Sequence, residues 1–307
     1  KADNLTLDLT GTFTNTGPLV VTNALTINAA QGINNSNASI HTGTLNINSH
    51  DGFLNNTNGQ INAQSFKADI AGQLNNNQGR INVVGNANLK TGDVVATNGS
   101  FKSTNGNFTL DSTGNIALKA STFSAQQGTA RMQADGSIDL GYIQGPPTAI
   151  TQTQTDTLQS GQMLAGGCAE QGQGDSAQTI CTSDQWLVPQ IDKTTTTSTT
   201  QDGFNGTLVQ GQQIQIEAGQ NLNITASELQ SVGNIDLRAD GNVTIAAAVG
   251  QVQTTHTQTT NTTSTVQVVD GTGDNASYST ATQTTGQTAT KTTNGQPAQG
   301  SSTTSAP

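Results

Sequence analysis

A repeat of 20 or 21 residues dominates the first half of this chain and leaves few folds open to it. One apolar column runs Phe13, Ile33, Leu54, Leu74, Val95 and Ile116; a second runs Val20, Ile40, Ile61, Ile81 and Phe101. A third is made of alternating pairs: Leu5/Leu7, Leu25/Ile27, Leu45/Ile47, Phe66/Ala68, Ala87/Leu89 and Phe108/Leu110. Beside the first column stands a polar one, Asn15, Asn35, Asn56 and Asn76. Columns that keep one period over successive turns mark a solenoid, in which each repeat buries its apolar face only against its neighbours.

The local pattern identifies the repeating unit. Leu-Thr-Leu, Leu-Asn-Ile and Phe-Thr-Leu alternate apolar with polar residues, as a one-sided strand does. Turn signals separate them: Asn-Gly at 58–59, 98–99 and 105–106, Ala-Gly at 71–72 and Gln-Gly at 78–79. Asn, Gly and Thr are poor helix formers, and no 3.6-residue stripe appears. The expected fold is all-β: a right-handed parallel β-helix (solenoid) with ~20–21-residue rungs, each donating its backbone hydrogen bonds to the rungs above and below. The Asn column has two readings, an amide-to-amide ladder up the stack or turn residues with positive φ. Its constant spacing favours the ladder.

Composition agrees with a thin core. Aromatic residues are 3% of the chain, charged residues 10% and hydrophobic residues 31%, too little apolar volume for one spherical core of this length. Net charge is −10, from 10 Lys plus Arg against 20 Asp plus Glu, with no basic patch, so nucleic acid is not an expected partner. No stretch approaches the ~18 or more apolar residues of a membrane span. The opening Lys1-Ala2-Asp3-Asn4 is no signal peptide, so any targeting segment is expected outside these residues.

The repeat carries residues 1–145 as a first class of rung and returns at 207–250 as a second, where Ile214/Ile216 and Leu222/Ile224 recur as Ile235/Leu237 and Val243/Ile245. Residues 146–206 interrupt it. Pro146-Pro147 is expected to end the last rung, since Pro cannot supply a ladder donor. Thr-rich flanks then read as the two strands of a hairpin leaving the rod and returning. Its tip holds the two cysteines, Cys168 and Cys181, a spacing that suits a disulfide-closed loop, although two free thiols fit the count equally. It also holds the run Trp186-Leu187-Val188. With Tyr142, these residues offer apolar surface for a partner, or else pack on the rod flank. Residues 251–293 read as a second Thr-rich β excursion, and 294–307 as a flexible end.

No constellation for catalysis, cofactor or metal emerges. His41, His50 and His256 share no evident site, and Ser and Cys nucleophiles have no plausible His partner. Carboxylates occur singly in turns, whereas a glycosidase sets two across one cleft. Asp69, Lys90 and Asp111 recur at steps of 21 and are expected on one face, but without an aromatic platform. The repeats lack the Gly-Gly-x-Gly-x-Asp calcium nonapeptide. The chain is expected not to be an enzyme.

Residues 52–83, Gly-Phe-Leu-Asn-Asn-Thr-Asn-Gly-Gln-Ile-Asn-Ala onward to Gly-Gln-Leu-Asn-Asn-Asn-Gln-Gly-Arg-Ile-Asn-Val, resemble the first repeat class of the filamentous haemagglutinin family. Gln220-Asn221-Leu222-Asn223-Ile224-Thr225-Ala226 and Gly241-Asn242-Val243-Thr244-Ile245-Ala246-Ala247 resemble its second. This family comprises the exoproteins of two-partner secretion, including contact-dependent growth inhibition effectors. The resemblance covers about 1–145 and 207–265. It implies a filament segment secreted to the surface of a Gram-negative bacterium through an outer-membrane transporter. That segment would hold a binding or toxin element toward other cells. Alternatively, 146–206 itself would act as an adhesin module for a cell-surface receptor or glycan. The family's Asn-Pro-Asn secretion motifs, its Val-Glu-Asn-Asn motif and any toxin domain are absent from these residues.

Overall fold

The structure, a computed structural model, describes residues 2–159, 162–164, 168–171, 178–181, 185–250, 252–270, 277–294, 298–299 and 304–305; side chains are described for 2–155, 194–250 and 252–258. The described residues form strands and turns without a helix. They fall into two compact units: Lys1–Pro146 with Asp202–Gly250 and Ala298–Pro307, and Pro147–Gln201 with Gln251–Pro297.

The first unit is a right-handed parallel β-solenoid with rungs of about 21 residues. Strand follows strand in parallel register: Leu5 lies beside Leu25, Leu25 beside Leu45, Leu45 beside Phe66, Phe66 beside Ala87 and Ala87 beside Phe108. The column continues through Ala130, Ile214 and Ile235. Side chains inside it compensate one another in volume. Where this column carries Phe66 its neighbour carries Ala68, and where it carries Ala87 the neighbour carries Leu89. At these two rungs a large residue beside a small one keeps the packing dense. Phe101, Phe108 and Phe123 are buried together in the core, with ring centroids 5.1–6.1 Å apart in tilted and edge-on contacts.

Two expected positions shift by one residue. The first column is Phe13, Ile33, Leu54, Leu74, Val94, Ile116, Ile138, Leu222 and Val243, so Val94 and not Val95 points inward. The turn feeding this column varies in length, with a step of seven from Ile47 to Leu54 and five from Leu89 to Val94. Equal steps therefore misplace the inward residue. In the second column Leu19, not Val20, pairs with Ile40. Leu19-Val20-Val21 offers three apolar residues in a row, and strand alternation buries Val21 at 2% exposure while leaving Val20 at 43%.

The insertion does not break the stack. Thr122–Ala125 pairs with Leu208–Gly211, Thr129–Ala134 with Gln213–Ala218, and Ile138–Leu140 with Leu222–Ile224. Pro146 and Pro147 do not end their strand either, which runs unbroken over Ile138–Gln159. Solenoid pairing to the preceding rung stops at Gly141, five residues before the first proline, and the strand goes on beside Gln185–Gly206.

The second unit is an antiparallel sheet. Its strands lie in the order Ile138–Gln159, Gln185–Gly206, Val252–Asp270 and Ser277–Asn294. Both Thr-rich hairpins are therefore present, and they are joined: Leu187 to Gln201 pairs with Val266 to Val252 in one continuous register. The disulfide expected between Cys168 and Cys181 does not stand, since no disulfide bond is found among the described residues. The two backbones do face each other, in the antiparallel ladder of Cys168–Gln171 with Gln178–Cys181. Main-chain hydrogen bonds of that ladder close the segment, so no covalent staple is needed to bring its ends together. The side chains of both cysteines lie outside the described residues. Of the expected flexible end at 294–307, Ala298–Gln299 pairs with Val249–Gly250, and Thr304–Ser305 with Leu229–Gln230.

Candidate functional site

The most organised polar feature of the solenoid is the Asn column, and it lies inside the core. Asn35, Asn56 and Asn76 each have 0% exposure. Asn15 Nδ2 donates to Asn35 Oδ1, Asn35 Nδ2 to Asn56 Oδ1, and Asn56 Nδ2 to Asn76 Oδ1, each over 2.8 Å. The second amide hydrogen goes to main-chain carbonyls: from Asn35 to Ala38 and Gln60, and from Asn56 to Gly59 and Arg80. At the far end Asn76 Nδ2 donates to the Ser100 carbonyl at 3.1 Å. Each buried amide is thus satisfied from the rung before and the rung after, as burial requires. The left-handed turn residues are a separate column two positions on, Asn37, Asn58, Gln78 and Asn98, with φ of 54–55°. Gly59, Gly79 and Gly99 follow three of them. A Cβ on Gly79 would stand 2.1 Å from the Asn56 carbonyl and 2.3 Å from Asn76 Oδ1, so the ladder needs glycine there. Beyond Asn76 the same column turns apolar, as Ala96, Leu118, Leu140 and Ile224.

Outward columns repeat this arrangement in water. Asn48 Nδ2 donates to Asn28 Oδ1 at 2.7 Å and Asn28 Nδ2 to Asp8 Oδ1 at 2.6 Å, along the wall of a hollow that His50 also lines. On another face Asn82 donates to Asn62 at 3.0 Å, and Asn62 reaches the His41 ring at 3.4 Å. The 20-residue step from Asn28 to Asn48 is legible in the sequence, but its outward direction is not. Asp69, Lys90 and Asp111 do stand side by side in register, and Asp111 has Arg131 at 3.6 Å on its other side. In the second unit His256 stands 3.1 Å from Thr197 Oγ1. No group of three His, Cys, Asp or Glu able to hold a metal ion occurs among the described residues. No described helix is long and apolar enough to cross a membrane.

Of the expected contact residues, Tyr142 is half-buried at the stem of the insertion, its ring packed edge-on against Phe204 with centroids 5.2 Å apart. Phe204 gave no signal in the repeat, because it stands on the returning flank outside every column. Trp186, Leu187 and Val188 are placed by backbone alone: Trp186 pairs with Met163, Leu187 with Gln162 and Val266, and Val188 with Thr265. Their side chains lie outside the described residues.

Scans against protein-family models, curated proteins and solved structures found no match to this chain. What it has in common with the filamentous haemagglutinin exoproteins is a parallel β-solenoid, a fold consistent with that family but not confined to it.

Proposed function

We propose that this chain is a structural filament segment of a large surface exoprotein of the filamentous haemagglutinin kind. It is secreted by a Gram-negative bacterium through an outer-membrane partner transporter. Its task is to hold a distal binding or toxin element at a distance, and it catalyses nothing itself. The observation that carries this reading is the continuity of the stack. Nine positions of the first column, from Phe13 to Val243, stay in register across an insertion of some sixty residues. Nine rungs at ~4.8 Å span roughly 40–45 Å. Such continuity of stacking serves length and stiffness, and the buried Asn ladder is spent on stacking as well.

The test removes whole rungs from the exported protein. Deleting residues 33–73 excises two periods and brings Phe13 into register with Leu74. Surface reach seen by electron microscopy should shorten by about 10 Å, with export and the distal activity retained. Loss of the distal activity at unchanged surface amount would overturn the spacer role. So would specific binding of the isolated chain to cells.

A further inference from the structure

The antiparallel sheet of the second unit has an unusual edge. Its last strand, Ser277–Asn294, is 18 residues long and among the described residues pairs on one side only, with Val252–Asp270. Natural edge strands are kept short, or blunted by prolines, bulges and charges, because a row of free N–H and C=O groups recruits other strands. This strand has no proline and no register break, and Lys291 is its one charged residue. The sheet itself shows what such strands do. It is assembled by two hairpins far apart in sequence, joined over Leu187 to Gln201 by main-chain pairing between Thr-rich strands. Along that junction Thr194 to Thr200 and Thr254, Thr255 and Thr257 stay partly exposed, so main-chain pairing carries this part of it.

We infer that the Ser277–Asn294 strand is a docking edge for the same strand of a second copy, forming a continuous sheet across a twofold axis. An antiparallel pairing centred on Thr285 and Gly286 sets Ser277 opposite Asn294, and each residue inward opposite its counterpart. Lys291 then faces Thr280, Tyr278 faces Thr293, and no like charges meet. The pairing is isologous and closes at two copies, since it consumes the edge on both.

Sedimentation of the 307-residue chain tests this. A concentration-dependent dimer is expected, and a monomer across the range would overturn the inference. In the same register 283 faces 288, so Gln283→Lys with Thr288→Lys sets lysines opposite each other twice. Association should weaken about tenfold or more. Gln283→Glu with Thr288→Lys sets opposite charges there and should restore the dimer. Circular dichroism of both variants establishes that the sheet is intact. A dimer or larger assembly equally strong in all three proteins would assign association to another surface and overturn the inference.

Discussion

Asn56 shows how one side chain can be both a cost and a register mark. It accepts from Asn35, donates to Asn76 and has no water to replace either. Asn56→Ala therefore strands a donor below and an acceptor above, and should destabilise the surrounding rungs by about 2–4 kcal/mol. Chemical denaturation would measure it. Changing all four ladder residues to Leu should cost less than the sum of the single changes, because later rungs fill the same position with Leu118 and Leu140. Leu54→Ala should cost about 2–5 kcal/mol. Because rungs couple only to neighbours, hydrogen exchange should rise around residues 40–80 and not at 207–250. Uniform loss of protection would contradict that coupling. The ladder was legible in the sequence because four identical residues hold one spacing. The corrected positions were not, since Val94-Val95 and Leu19-Val20-Val21 are apolar throughout and alternation can start on either residue. Val94→Asp should accordingly cost about 3 kcal/mol or more as an unpaired buried charge. Val95→Asp, at a half-exposed position, should cost less than about 1 kcal/mol.

At the scale of elements, the insertion is a detachable loop. A Cβ on Gly203 would stand 2.6 Å from the Pro146 carbonyl, so outgoing and returning chains touch at the stem. Thr207 Oγ1 binds the carbonyls of Leu118 and Gly141 at 2.9 and 2.8 Å and seats the returning strand. Replacing residues 147–201 by a short turn should leave exchange protection at 122–140 and 208–224 intact, and shortening the loop should add about 2 kcal/mol at most. A collapse of protection at 208–224 would show that the excursion holds the later rungs in place. Both hairpins could be expected from their Thr-rich flanks. Their union could not, because Thr-Gln alternation has no apolar face to choose a partner and gives strand type without pairing.

For the molecule as a whole, circular dichroism should show β-sheet with less than about 10% helix, an outcome a larger helical signal would contradict. Ion pairs contribute little. Among the described residues they are Arg131–Asp111 and Arg238–Asp236, both solvent-exposed in part. Raising the salt concentration should change solenoid stability by less than about 1 kcal/mol. The direction of the amide ladder has a mechanical consequence. Its bonds, like the main-chain bonds between rungs, run along the stacking axis, so tension applied at the two ends of the solenoid loads every interface in series. Under such a load the first yield falls at whichever interface holds fewest bonds. Interfaces from Asn15 to Asn76 carry the amide ladder, and later ones carry hydroxyl bonds instead, from Ser121 Oγ to the Ala96 carbonyl and from Thr207 Oγ1 to those of Leu118 and Gly141. A pull along the axis is therefore resisted by different chemistry along the stack, amide to amide near residue 15 and hydroxyl to carbonyl from residue 121 onward.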